Sequence, residues 1–324
     1  DFNRSALPVI RQMLSELHIT LNRAYWETYR TPSGRIESVC SMYLDGEPRR
    51  AVLDKAVERL RALLAIQAGD LDDLYVGGAL TFPEYLFAIA ACAFVHTFIS
   101  KDQPGDQAIM DGLARKELRE AFAKRIFDGN RAEYTRQGIL DTLRRRLDLL
   151  KQLHKLFDRK FNPRHRGKAD LKAIDRELAA FRQRAAIAFV DDRTGGDIFL
   201  FMTRLITHTQ KTNFYRVAKR STAFRLDPAL LDRLVFPGKV HGIFFVIGFY
   251  AVATHMRAED IARGGMRLIR VTPGNYENEL DNMPLLNYAL GPVAQRLKHK
   301  DIAESGAKAV IVPGVEYARD GLSA

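Results

Sequence analysis

Along the first fifty residues apolar positions alternate with polar ones: Leu17, Ile19 and Leu21, then, less cleanly, Ile36, Val39 and the run to Leu44. Thr31-Pro32-Ser33-Gly34 lies between the two runs and is a turn signal, so the pattern predicts a strand–turn–strand unit. Two strands alone make a marginal structure, which implies that the unit begins inside a domain. After Asp45-Gly46-Glu47-Pro48 the period becomes helical, with Leu53, Ala56, Val57, Leu60 and Leu64 on one face. Thr81-Phe82-Pro83-Glu84 has the form of a capping box, in which the Thr hydroxyl accepts an early backbone N–H and the Glu reaches back. The helix it opens is apolar on nearly every side from Tyr85 to Val95. A membrane span needs ~20 apolar residues. His96 and Lys101 arrive too soon for that, so the reading is the buried central helix of a bundle.

Ile139, Leu143, Leu147, Leu150 and Phe157 recur at helical spacing, and so do Leu171, Ile174, Leu178 and Phe181. Asn162-Pro163 to Gly167 separates the two sets, which predicts an antiparallel helical hairpin with basic outer faces. The texture changes after about residue 205. A helix is expected through residues 203–212, Ser221 to Leu226 reads as extended, and Asp227-Pro228 opens a short helix with Pro in its first turn. Ile243 to Val252 is a continuous apolar run and reads as one buried strand; Met266 to Val271 and Ala309 to Val312 read as further strands.

Composition narrows the class. Apolar residues make up 47% and charged residues 27% of the 324 positions, which suits a well-cored chain long enough for roughly two domains. Cys40 and Cys92 are the only cysteines and form no Cys-x-x-Cys pair, which disfavours a disulfide framework or a cysteine zinc site and points to a reducing compartment. The chain begins Asp1-Phe2 without an initiator Met, so the natural N-terminus is expected elsewhere; no signal peptide is visible. The formal net charge is +11, and residues 144–184 hold 14 basic against 5 acidic side chains. Such a run is the solvated face of two amphipathic helices or, as the sharper alternative, a phosphate-binding surface.

Candidate chemistry gathers near the end. Arg263 precedes Gly264-Gly265, with Arg267 beyond them; Lys298 and Lys300 stand in Arg296-Leu297-Lys298-His299-Lys300; Lys308 follows Ser305-Gly306-Ala307. Glycine lets a ligand approach the main chain, and a Lys or Arg beside it can hold a carboxylate through a charge-assisted hydrogen bond or serve in proton transfer. From chemistry alone this suggests a pocket for an anionic small molecule.

These segments, with Lys211-Thr212-Asn213-Phe214-Tyr215 and Phe224-Arg225-Leu226-Asp227-Pro228 upstream, resemble the catalytic region of NAD-specific glutamate dehydrogenases of the large-subunit class. The resemblance covers about residues 205–313, with four motifs in the family's order. It implies that Lys308 is the catalytic Lys, polarising attacking water and the imine intermediate. It further implies that Lys298 holds the substrate α-carboxylate, that Arg263 meets the side-chain carboxylate, and that Gly264 and Gly265 shape that wall of the pocket. Ser305 departs from the family's first Gly and Val310 from a Gly of compact members, while the catalytic Asp of the family would lie beyond Ala324. No Gly-x-Gly-x-x-Gly follows any candidate strand.

The fold expected is therefore multidomain α+β. Residues 1–50 resemble the end of an ACT-like α/β domain, residues 51–204 form a helical domain, and residues 205–324 are the first part of a substrate-binding α/β domain, truncated, with no Rossmann domain in this chain. The function expected is part of an NAD-dependent glutamate dehydrogenase, converting L-glutamate to 2-oxoglutarate and ammonia. On this reading NAD is bound by another domain, no metal, nucleic acid or membrane is involved, and the fragment is inactive alone. The intact protein is expected to be a homo-oligomer, cytoplasmic, or mitochondrial if eukaryotic. The alternative is a helical module binding nucleic acid through residues 144–184.

Overall fold

The computed structural model describes residues 6–32, 36–66, 69–100, 105–165, 170–259, 261–293 and 305–315, and of residues 36–38, 261–263 and 305 the backbone alone. A short helix, α1 (Leu7–Ser15), precedes the antiparallel pair β1 (Leu21–Arg30) and β2 (Ile36–Leu44). The sequence reading placed Leu17 and Ile19 in the first strand. They instead lie in the connection that follows α1, whose Val9, Ile10, Met13 and Leu14 are buried at helical spacing. Helices α2 (Arg50–Leu63), α3 (Asp72–Val76), α4 (Phe82–Phe98), α5 (Asp106–Gly112), α6 (Lys116–Glu133), α7 (Arg136–Arg145), α8 (Leu147–Phe161), α9 (Leu171–Ala188) and α10 (Arg193–His208) then follow in order.

The capping box at the head of α4 is present: Glu84 accepts from the Thr81 backbone N–H at 2.8 Å and from its hydroxyl at 2.9 Å. Fourteen of the seventeen residues of α4 are buried, which makes it the central helix, as its all-round apolar sequence requires. The periodic run from Ile139 to Phe157 is two helices, not one. The chain breaks at Arg146 (φ −133°, ψ 54°), whose guanidinium is held by Asp148 at 2.9 Å. The α8–α9 hairpin forms as its spacing predicts, with Leu153, Phe157, Ile174, Leu178 and Phe181 turned inward.

The second half of the chain builds a six-stranded sheet from β3 (Thr209–Thr212), β4 (Ser221–Leu226), β5 (Gly242–Gly248), β6 (Ala251–Arg257), β7 (Ile261–Leu268) and β8 (Ser305–Pro313). Its order is β3-β4-β5-β6-β8-β7, antiparallel throughout except for the parallel β8–β7 pair. Among the described residues between β7 and β8 are a helix, α11 (Tyr276–Tyr288), and a π-turn at Ala289–Val293. The apolar run from Ile243 to Val252 is thus a hairpin rather than one strand. Gly248 sits at its turn, and Ile247 and Val252 pair across it. Residues 209–212, expected to end a helix, are instead the first strand.

One face of this sheet carries Phe224, Ile243, Phe245, Ile247, Met256, Val310 and Val312, each under 2% exposed. The helices pack against that face through aromatic rings. Phe98 meets Phe245 edge-on at 5.4 Å, and Phe157 contacts Phe87 at 5.1 Å, Phe214 at 5.1 Å and Phe224 at 6.4 Å. Helices and sheet therefore share one apolar core, and mixed helix and sheet is the architecture observed. Among the described residues no helix is long and apolar enough to cross a membrane.

Candidate functional site

The parallel pair β7–β8 brings the two halves of the glycine- and lysine-bearing segment into register. Arg263 stands opposite Gly306, Gly264 opposite Ala307 and Gly265 opposite Lys308. Because strand side chains alternate between faces, Lys308 emerges on the same face as Val310 and Val312, which are fully buried beneath the helices. Its cross-strand partner on β6 is Met256, also fully buried. Lys308 itself is half-buried, at the margin where that core gives out toward the edge strand.

Gly265 explains how a lysine fits there. A Cβ at position 265 would stand 2.6 Å from the Lys308 Nζ, 3.5 Å from its Cε and 3.6 Å from its Cδ. The lysine side chain is thus laid flat across the bare backbone of Gly265, with its ammonium at the exposed strand edge. Gly264 has the opposite aspect. A Cβ there would meet only the Ala307 carbonyl at 3.6 Å, on the far side of the sheet, so its contribution to a pocket on the Lys308 side is its main chain. Arg267 follows Gly265 on the lysine's side, opposite Val310, and is exposed. The Arg263 backbone is in register with Gly306, while its side chain lies outside the described residues, as do Arg296, Lys298 and Lys300.

Two departures from the family motif have local physical reasons. Ser305 begins β8 in extended backbone paired with Ile261, where any residue fits and glycine's freedom is not needed. Val310 is fully buried against the helices, so its side chain fills core space. The two upstream motifs serve as structure. Asn213 donates to the Ser221 carbonyl at 2.9 Å and accepts from the Ala223 N–H at 2.7 Å, tying β3 to β4. Asp227 caps the turn after β4, accepting from the Ala229 N–H at 2.9 Å.

Sequence reasoning passed over Asn287, near the end of α11. It is fully buried and its Nδ2 donates to the Lys308 main-chain carbonyl at 2.7 Å. No local pattern marks it, since an Asn in a helix interior reads as an exposed polar position.

A small cavity of about 40 Å³ lies between α4, α7, α11 and the sheet, with Asp70, Cys92, His96 and Arg136 in its wall. Its polar groups are partnered: Arg136 pairs with Asp70, and His96 Nε2 lies 2.9 Å from Asp281. Burial pushes the Cys92 thiol up to about 12, so no thiolate nucleophile stands there. Lys219 is lowered to about 8 by burial, but its ammonium donates to the Phe214 carbonyl and rests over the Phe214 ring, in the β3–β4 turn. Among the described residues no group of three or more His, Cys, Asp or Glu could hold a metal ion.

Among the described residues, four of the fourteen basic side chains of residues 144–184 are paired with carboxylates within the fold. Arg144 pairs with Asp73 at 3.0 Å, Arg145 with Asp192 at 2.9 Å, Arg146 with Asp148 at 2.9 Å and Arg159 with Glu177 at 2.6 Å. Those four are already committed to carboxylates, and no observation favours the nucleic-acid alternative.

A helical block packed on a mixed sheet, with one lysine laid over a glycine at the sheet's edge, is compatible with an α+β chain. Residues 184–281 match the family model for the catalytic domain of bacterial NAD-glutamate dehydrogenase. That stretch includes Arg263, Gly264 and Gly265 and ends before Lys298 and Lys308. The chain is 26% identical to glutamate dehydrogenase 2 of Dictyostelium discoideum over 82% of its length. It is 27% identical to the NAD-specific glutamate dehydrogenase of Saccharomyces cerevisiae over 81%, and 26% identical to that of Neurospora crassa over 92%. It spans 25%, 26% and 30% of those relatives respectively. The resemblance to NAD-specific glutamate dehydrogenases is borne out, over about four fifths of the chain or more.

Proposed function

We propose that this chain is part of an NAD-dependent glutamate dehydrogenase, an enzyme that oxidatively deaminates L-glutamate to 2-oxoglutarate and ammonia. The observation that carries the reading is the register Gly265↔Lys308, which lays the Lys308 ammonium over bare backbone at the edge of the sheet. A glycine that a Cβ would bring into collision with a lysine ammonium is expected where that ammonium must reach a ligand.

In this reading the Lys308 ammonium polarises the attacking water and the imine intermediate, acting where charge develops in the transition state. Lys298 holds the α-carboxylate of glutamate and Arg263 its side-chain carboxylate, the latter suited to a two-pronged, charge-assisted contact. Gly264 and Gly265 form the floor on which the substrate lies. Holding both carboxylates fixes the α-carbon relative to Lys308, and such orientation is the chief contribution of a positioning site.

The described residues do not fit a dinucleotide. The β7–α11–β8 crossover carries Gly274 alone in its first turn, without the Gly-x-Gly-x-x-Gly that lets a pyrophosphate approach a helix N-terminus. NAD is accordingly assigned to another domain of the intact protein, taken to be a homo-oligomer, and this chain contributes substrate binding and electrostatics.

The test is NADH formation from glutamate and NAD by the intact protein and by this chain alone. Turnover by the intact protein and none by the chain is the expected result. Robust turnover by the chain alone, or an intact protein indifferent to glutamate, overturns the reading.

A further inference from the structure

The lysine that the glycines accommodate is also held from behind. Asn287 is completely buried, one residue from the end of α11 and 21 residues before Lys308 in sequence. Its Nδ2 donates to the Lys308 carbonyl at 2.7 Å, while its Oδ1 is buried without a hydrogen-bond partner among the described residues. A buried amide with half its capacity unused is costly, and Leu or Met would fill the space without that cost. What the amide contributes is a donor to the main chain of β8 at the very residue whose side chain crosses Gly265.

The surrounding geometry shows that this donor is fixed in place. Tyr288, next in sequence, accepts through its hydroxyl from the Gly238 N–H, and its ring meets Phe236 edge-on at 5.3 Å. The π-turn that follows runs along β8: a Cβ on Gly291 would lie 3.6 Å from the Lys308 Cβ and N. Single π-turns of this kind recur at functional sites. The first half of α11 is tied to the helical block by His96–Asp281 at 2.9 Å and by Arg136–Glu277 at 3.7 Å. The helix therefore cannot slide along β8 without breaking these contacts on one side and the Tyr288 anchor on the other.

We infer that Asn287 is a positioning residue for Lys308: its amide fixes the backbone of residue 308 so that the lysine ammonium lies over Gly265. The inference rests on the reading of Lys308 as the catalytic lysine. Asn287 touches neither substrate nor cofactor and acts only through residue 308. Its loss should therefore lower kcat, because the ammonium moves relative to the reacting atoms, and leave the KM for glutamate nearly unchanged, because the carboxylates are held elsewhere.

The experiment is a double-mutant cycle in the intact enzyme, using Asn287→Leu, Asn287→Asp, Lys308→Ala and the combinations, with kcat, KM for glutamate and thermal midpoint measured for each. Asn287→Asp keeps the shape and loses the donor, so it carries the test if Asn287→Leu does not fold. Misplacement by an ångström can cost about a hundredfold, so the single Asn287 variants are expected to lose about 10- to 100-fold in kcat. In the Lys308→Ala background the same substitutions should leave the residual rate unchanged. Wild-type kcat in both Asn287 variants, or an equal loss with and without Lys308, overturns the inference. A Lys308→Ala enzyme with wild-type kcat instead overturns the underlying reading of Lys308, and the two failures are separately visible.

Discussion

Gly265→Ala is the substitution whose outcome the geometry fixes most closely. The added methyl would stand 2.6 Å from the Lys308 Nζ, and ordinary contact begins at 3.4 Å, so one group must move by about 0.8 Å. The backbone of Gly265 is held in the β7–β8 ladder, whereas the Nζ is the end of a flexible side chain. The lysine is what moves. Folding should scarcely register the change: Gly265 is exposed and lies outside the left-handed region, and Gly→Ala in compatible backbone stabilises by about 0.4–1 kcal/mol through the unfolded chain. Catalysis should register it strongly. A displacement of this size at a reacting group corresponds to about 10- to 100-fold in rate, or about 1.4–2.8 kcal/mol on the barrier. The assay is steady-state NADH formation by the intact enzyme alongside thermal melting, with Gly264→Ala as a folding control, since its methyl meets only the Ala307 carbonyl at an ordinary 3.6 Å. Gly265→Ala with unaltered kcat would refute the placement of Lys308. A collapse of the melting temperature would refute the claim that the side chain yields rather than the strand.

Phe157→Ala should destabilise the chain by about 3–5 kcal/mol in urea unfolding, because the ring is fully buried among Phe87, Phe161, Phe214 and Phe224 and no neighbour can fill its space. Lys219 titrates near 8 in the folded chain against an ordinary 10.5, so between those values the unfolded state binds more protons and stability from this site rises with pH. The stability of wild type relative to Lys219→Met should therefore rise by about 1–3 kcal/mol from pH 8 to pH 10.5, and no change would show the ammonium to be solvated. Cys92, fully buried and pushed up to about 12, should resist thiol reagents at pH 8 in the native protein and react only at the rate of unfolding. Prompt labelling at Cys92 would contradict its place in the core.

What was legible in the sequence was whatever local physics determines. The capping box at Thr81 and the short helix opened by Asp227-Pro228 each follow from side chains within a few residues and formed as read, and the expected hairpin formed with its first arm, read from Ile139, divided at Arg146. The errors fall where a pattern has two solutions. An apolar run of ten residues reads as one buried strand, yet Gly248 permits a turn and the same residues pair with one another as β5 and β6. Residues 139–157 keep helical spacing across Arg146, where the Asp148 side chain holds the break. The motif residues Gly265 and Lys308 were picked out as chemistry, but nothing in a sequence states that they stand side by side, because a strand register is set by pairing between distant segments. Asn287 was invisible for the same reason: its partner is a main-chain carbonyl 21 residues away, and such contacts leave no mark on spacing or composition.

In the proposed function Lys308 performs chemistry on a glutamate whose carboxylates are held by other cations, Lys298 among them. The most direct measurement is the kinetics of Lys308→Ala and Lys298→Ala in the intact enzyme, at varied glutamate and saturating NAD. Lys308→Ala is expected to lower kcat with little change in KM, and Lys298→Ala to raise KM with little change in kcat, since the first acts in the transition state and the second in binding. Small and equal effects from both substitutions would contradict it.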